Sequence, residues 1–390
     1  MTLITRSTFV ILVFVLLYLF FINFYRSGQA ENESAILPGM PPMHDSNNIY
    51  ADANAGLFSK AVINALPRVY VPNGLDNTVS VIDPTSYQVI DTFVTGKEPQ
   101  HIVPSYDLKI LWVLNNAGNS LTPIDPETAK PGVNVAVEDP YNLYFTPDGR
   151  FAIVVSESHK RLDFYDPQTM ILRESVPVQC QGVNHMDFSA DGKYAFATCE
   201  FSGQLLKLDV VTHKILAYLD LADAQGMSSM PQDIRLAPDG RTLYVADMKM
   251  NGVFIIDPDT FSKIKFISTG IGTHSIYPSR DGKFLYIANR GCTTMKCRPH
   301  GPGSISVIDP SQQAVIATWP IAGGGSPDMG NVSADGKELW LSGRYDSEVY
   351  VFNTTTGELM HRIPVGRGPH GLAVWPQPGR YSLGHTGNMR

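Results

Sequence analysis

The sequence predicts an all-β fold: a seven-bladed β-propeller with four-stranded blades, preceded by an apolar N-terminal helix. Three observations predict it. A strand ending in Asp-Pro, Val79-Ser-Val-Ile-Asp83-Pro84, returns at Asp125, Asp166, Asp257 and Asp309, with weaker copies at Asp209 and Asn353; the seven marks stand 42, 41, 43, 48, 52 and 44 residues apart. A tight-turn signature accompanies them, as in Thr146-Pro-Asp-Gly149, Ser189-Ala-Asp-Gly192, Ala237-Pro-Asp-Gly240, Ser279-Arg-Asp-Gly282 and Ser333-Ala-Asp-Gly336. With 33 Gly and 28 Pro among 390 residues, and only 17% charged, the composition favours many turns over long helices. A period near 42 with four strand-like runs is the mark of a propeller.

In chain order, Thr8 to Tyr25 carries no charge and is flanked by Arg6 and Arg26. At about 1.5 Å per residue it nearly spans a bilayer core. Residues 1–30 are therefore expected to be a signal anchor or a signal peptide, with Gly28 and Ala30 as the small residues a cleavage would need. Either reading places the rest in an extracytoplasmic space, periplasmic or at the cell surface. Residues 31–67, with Pro38, Pro41 and Pro42, read as a tether, with a short helix over Ser59 to Leu66. Residues 68–380 form the propeller and 381–390 a tail over one face.

Each unit has an inner strand A before the Pro-Asp-Gly turn and a strand B of the type Tyr244-Val-Ala-Asp247 or Tyr286-Ile-Ala-Asn289. Strand C is the Asp-terminated run, and strand D is β-branched, like Val89 to Val94. Pro-Asp-Gly supplies a fixed φ, an Asx-type bond and a positive-φ position, which suits a tight hairpin. The first unit starts at strand B, Tyr70-Val-Pro-Asn73, and the last run, Pro369 to Trp375, is a strand A without partners of its own. Pairing the two closes the ring and leaves no open edge.

These motifs resemble the YVTN-repeat, or YncE-like, β-propellers. That group is similar to the propeller domains of dissimilatory nitrite reductase and nitrous oxide reductase, and more loosely to lactonase-like propellers. The likeness covers Arg68 to Trp375, and the carboxyl end, from Ser326-Pro-Asp-Met-Gly330 through Gly387, is similar to an exported bacterial subgroup. It implies the fold firmly and the activity weakly, because the motifs are turn and strand chemistry.

One residue per blade, placed just before strand A, makes a second series: His101, Asn142, His185, Asp233, His274, Asp328 and His370. Four of the ten histidines fall on this register. In a propeller these side chains converge on the channel axis. His101, His185, His274 and His370 with Asp233 and Asp328 are donors for copper, iron or zinc. The same ring suits a polar organic ligand, or hydrogen bonds to water and backbone.

The B–C loops add Glu157, His159, Lys160, Arg161, Glu200, Met248, Met250, Arg290, Arg344 and Tyr345 to that face. Arg161, Arg290 and Arg344 are candidates for a carboxylate or phosphate, and His385 of the tail is a candidate to reach the ring. Cys180 with Cys199, and Cys292 with Cys297, are expected as disulfides. The sharper alternatives are soft copper sets: Cys292, Met295, Cys297 and His300, or Met40, Met43 and His44. Met227, Met230, Met248 and Met250 read as packing or loop residues.

The net charge of −7 argues against a broad nucleic-acid-binding surface. No nucleophile elbow, Walker loop, dinucleotide fingerprint or His-Glu-x-x-His occurs. The leading expectation is a membrane-tethered scaffold binding a ligand or protein partner on the ring face. Beside it stand a metal- or tetrapyrrole-dependent redox or maturation protein and a lactonase-like hydrolase.

Overall fold

The computed structural model describes residues 36–222 and 228–390. The segment read as an anchor, the start of the tether and Met227 lie outside the described residues. Among those described, no helix is long and apolar enough to cross a membrane.

Seven antiparallel sheets form the seven blades. Blade 3 is representative: Asn142–Phe145 innermost, then Ala152–Ser156, Arg161–Tyr165 and Leu172–Pro177. Blade 1 is closed as expected: Ala373–Trp375 pairs with Arg68–Asn73, Tyr70 opposite Ala373 and Arg68 opposite Trp375. In blade 2 the outer strand is broken into Lys130–Pro131 and Val135–Ala136, both pairing with Ser120–Asp125. Pro131 lacks the N–H that a continuous edge would use.

The repeat motifs have direct physical roles. The Asn ending strand B donates its amide to two hydroxyls of strand C: Asn73 to Thr78 and Ser80, Asn115 to Ser120 and Thr122, Asn289 to Ser304 and Ser306. The Asp ending strand C accepts a backbone N–H two residues on, as Asp83 does from Thr85 and Asp257 from Asp259. In the A–B turn, Asp148 accepts from the Thr146 hydroxyl and the Arg150 N–H, while Gly149 takes a φ of 69°. Apolar clusters lie between neighbouring blades; one joins Ile153, Leu162 and Phe164 of blade 3 to Phe188, Ala197 and Leu206 of blade 4.

Residues 36–67, within the segment read as a tether, strap the face of the A–B turns. Leu37 donates its N–H to Asp191, Ile49 to Pro238, and the Tyr50 hydroxyl to Leu236. Leu37, Met40, Ile49, Tyr50, Ala53 and Val62 are buried there. Apolar residues at this spacing give a segment without regular structure enough burial to pack. The short helix expected over Ser59 to Leu66 is a single 3-10 turn at Lys60–Val62, capped by Ser59. Both disulfides form, with Cα–Cα separations of 5.9 Å for Cys180–Cys199 and 5.8 Å for Cys292–Cys297.

Candidate metal-binding channel

The seven register residues converge in the channel, but not from the loops preceding strand A. Most lie inside it, at an irregularity of pairing. Between Pro99 and His101, Val183 and Met186, Pro231 and Ile234, Thr273 and Ser275, and Pro327 and Gly330, the inner strand holds one residue more than its neighbour. Such a bulge re-aims a side chain out of the sheet's alternation. It turns His101, His185, Asp233, His274 and Asp328 toward the axis.

All seven are buried, so their hydrogen bonds decide their chemistry. Asp328 is enclosed by cations and donors. Arg290 Nε reaches its Oδ1 at 2.7 Å and Nη2 the same oxygen at 2.6 Å; His370 Nδ1 donates to Oδ2 at 2.6 Å, and Arg344 Nη1 stands 3.5 Å from it. Although burial opposes it, these groups hold the Asp328 carboxyl well below the usual carboxylate range. Asp233 accepts the backbone N–H groups of Ile234 and Ile276, each at 2.9 Å, with Arg235 at 3.7 Å. Against the burial cost, Arg235 and His385 hold it low too.

The imidazole tautomers follow from the partners. A carbonyl or carboxylate only accepts, and a guanidinium, amide N–H or backbone N–H only donates. His101 Nδ1 donates to the Tyr141 carbonyl at 2.9 Å, so its Nε2 carries a lone pair. His370 Nδ1 donates to Asp328, so its Nε2 carries one as well. His274 Nε2 accepts from Arg290 Nη2 at 2.6 Å and is spent. His185 Nδ1 faces the Asn142 amide nitrogen at 3.1 Å, and the Asn142 oxygen accepts from the Leu143 N–H, so the His185 proton sits on Nε2. His385 Nδ1 accepts the Thr386 N–H at 2.6 Å, which turns its own Nε2–H toward Asp233 at 3.4 Å.

Two buried Nε2 lone pairs, on His101 and His370, thus have no partner among the described residues. Their ring centroids lie 4.7 Å apart. His185 lies 5.5 Å from His101, and His385 stacks on His185 at 4.8 Å. Burial, ahead of mutual repulsion, lowers the pKa of His101 and His185, and burial with Arg344 lowers that of His370 to about 4. The rings are neutral at pH 7, the state that ligates metals.

His185, Asp233 and His385 place donor-type atoms within 4.8 Å of one another. We read that trio as a hydrogen-bonded support, because His385 presents a proton there. Of the six residues expected as metal donors, His101 and His370 keep a bare lone pair; Asp233, His274 and Asp328 are committed, and His185 presents N–H.

The tail is the part least visible in advance. From the A–B turn side it threads into the channel: Ser382 N donates to Tyr106, Phe145 N to Leu383 and His385 N to Leu143. Asn388 donates to Asp187 at 2.7 Å, and Arg390 stands 3.4 Å from the same carboxylate. Strap and tail together seal this end. Asp187 and Arg235 lie two residues beyond His185 and Asp233, so period-2 alternation along strand A marks a second inward layer.

Several expected residues lie elsewhere. Arg161 pairs with Asp163 at 2.8 Å and Glu138 at 2.7 Å, because it opens strand C, two strands out from the axis. His159 is exposed beside Ser156, Lys160 is an exposed turn residue, and Met250 packs on the blade-5 core. The Tyr345 hydroxyl donates to the Met295 carbonyl. The soft set Cys292, Met295, Cys297 and His300 has no thiolates, since its cysteines are joined, and His300 faces Asp346. Met40 and Met43 pack into an apolar cluster, while His44 pairs with Asp52 at 2.6 Å. Glu157, Glu200, Met248, Arg290 and Arg344 do stand at the ring-face mouth.

The family model described as YNCE-like beta-propeller matches residues 47–378. The chain belongs to this family. No curated protein matches significantly. Among solved structures this YNCE-like chain is similar to hydrazine synthase of Kuenenia stuttgartiensis, at 22% identity and TM-score 0.57, covering 70% of this chain and 88% of that one. It is also similar to dihydro-heme d1 dehydrogenase NirN, at 15% identity and TM-score 0.58, covering 86% and 82%. A third is a putative 6-phosphogluconolactonase of Bacteroides uniformis, at 19% identity and TM-score 0.62, covering 78% and 98%. At these identities the likeness carries the fold.

Proposed function

We propose that this YNCE-like propeller is an exported, membrane-tethered binding protein that holds a copper(I) ion in its channel. The observation that carries the reading is the pair of buried, unpartnered Nε2 lone pairs on His101 and His370. An orphaned buried polar atom costs about 1–3 kcal/mol, and a ligand at the axis would relieve that cost. Neutral imidazole is a donor for copper and zinc. Two considerations favour the monovalent ion. The nearby carboxylates are already committed to Arg235, Arg290 and Arg344. A dication would add charge to a desolvated site whose two axial carboxylates, Asp233 and Asp328, already have cationic partners, at a larger Born cost. Two available nitrogens also suit the low coordination number of Cu(I) better than the four ligands that Zn(II) takes.

The alternatives fit less well. The five imidazoles and the tail fill the axis, with neighbouring ring centroids 4.7–6.1 Å apart, which leaves little room for a tetrapyrrole plane. Hydrolysis by a metal-bound water would draw on Asp233 and Asp328, whose oxygens are occupied. Export and tethering rest on the apolar run Thr8 to Tyr25, and the two disulfides support an oxidising compartment. A topology reporter fused after Arg390 tests export: activity confined to the cytoplasm would refute it.

The test of binding is metal content. Full-length protein, loaded anaerobically with Cu(I) and exchanged against a Cu(I) chelator, is expected to retain a single ion. The double variant His101→Ala/His370→Ala is expected to lose it while keeping its circular dichroism. Equal retention by wild type and variant, or none by either, overturns the reading.

A further inference from the structure

At the end of the ring covered by strap and tail lies a cavity of about 30 Å³. Its lining includes Tyr50 of the strap, Thr386 and Asn388 of the tail, and Arg235, Tyr277 and Arg280 of blades 5 and 6. That volume holds one ion of chloride size or about two waters.

Two guanidiniums in this lining lack acceptors. Arg235 is 3% exposed, and its Nε is buried with no partner. The Asp233 carboxylate stands 3.7 Å from it, beyond hydrogen-bond reach. Arg280 gives Nε to the Ser333 carbonyl at 3.0 Å, and Nη2 to the Val332 carbonyl at 2.6 Å and to the Gln377 side chain. All three acceptors are neutral. Its Nη1 donates to nothing, and Arg280 forms no ion pair, among the described residues. The turn carboxylates near it, Asp281 and Asp335, pair instead with Lys283 at 3.0 Å and Lys337 at 3.4 Å. The third cation of this end is matched already: Arg390, 4.5 Å from the Tyr50 ring, has Asp187 at 3.4 Å. The Tyr277 hydroxyl accepts the Gly330 N–H at 2.7 Å and gives its own proton to the Met329 sulfur at 3.4 Å, a weak acceptor. The cavity is thus bordered by N–H and O–H groups short of an acceptor, and by a guanidinium without a counter-ion. An unmatched charge away from water is costly. Water would satisfy the donors but not the charge.

We propose that this cavity is a binding site for a small monovalent anion of chloride size. The anion accepts from Arg235 Nε, Arg280 Nη1 and the Tyr277 hydroxyl, and serves as the counter-ion of Arg280. Sulfate and organic carboxylates exceed the volume. Strap, tail and two blades each supply part of the lining, so a bound anion ties the cover to the ring. The site is independent of the copper reading, because the bare imidazole nitrogens take no part in it.

Thermal unfolding of the metal-free full chain tests it, with sodium chloride exchanged for sodium gluconate at constant ionic strength to hold general screening fixed. The melting temperature is expected to rise by about 2 °C or more along a saturating chloride curve, with bromide able to replace chloride. Arg280→Met removes the unmatched charge and is expected to abolish the chloride dependence. Crystals grown in bromide locate the ion without any variant, and an anomalous peak is expected inside the cavity. Equal melting temperatures in chloride and gluconate, a chloride dependence that survives Arg280→Met, or density for water only in the cavity would each overturn the site.

Discussion

His101 is held in its tautomer by a single carbonyl, that of Tyr141, and in its place by a glycine. A Cβ on Gly371 would run into the His101 imidazole. Gly371→Ala is therefore expected to displace the ring, lower stability by about 1–3 kcal/mol and weaken copper retention. Denaturant unfolding beside metal analysis checks both effects; a variant with wild-type values in both would contradict the packing argument. Glu157 offers a pH test. Burial, with Glu200 and Asp139 as further causes, raises its pKa from 4.5 to about 8. The folded state then binds more protons than the unfolded one between those values, so this group makes stability fall as pH rises through that window. Glu157→Gln is expected to flatten the melting-temperature profile between pH 5 and 8. An unchanged slope would mean that Glu157 ionises as an ordinary carboxylate. The residue types of the site were legible in the sequence, since one register collected four histidines. Their protonation was not, because it depends on partners from other blades, such as Asn142 on His185 and Arg290 on His274.

Among the elements, the blade strands were legible because every unit repeats the same turn chemistry. Asn73, Asp83 and Gly149 each perform a local task that a short motif encodes. The strap and the tail were not, because neither has a period and both are fixed by distant contacts. Arg390 and Asn388 meet Asp187 about 200 positions away in the chain. Deleting residues 381–390 uncovers that carboxylate and the Asp233 layer in one step. Loss of a partner from a buried charge costs about 3–5 kcal/mol, and a drop of that order in unfolding free energy is expected. A truncated protein as stable as wild type would show the tail to be dispensable packing. The Cys180–Cys199 bond ties the loop entering blade 4's innermost strand, Val183–Phe188, to the end of the next strand, Tyr194–Cys199, with a sequence separation of 19. Cys180→Ser/Cys199→Ser is expected to cost about 2–4 kcal/mol. Urea unfolding checks it; a loss below about 0.5 kcal/mol would show that the loop is already ordered without the bond.

For the whole molecule, closure of blade 1 by Ala373–Trp375 makes the propeller a rigid ring, and strap and tail make its channel blind at one end. Length, period and the unmatched terminal strand foretold the ring. They did not foretell that the strap and tail pack over one end of the ring. The central claim is that this channel presents two bare imidazole nitrogens to an entering ion. The most direct measurement is the 15N spectrum of the histidine rings, taken at pH 7 before and after anaerobic addition of Cu(I). The account predicts neutral channel histidines, with His101 and His370 unprotonated at Nε2 and both Nε2 signals moving when copper is added. Signals from His101 and His370 that stay in place at saturating Cu(I), or that report protonated Nε2 in the metal-free protein, would contradict it.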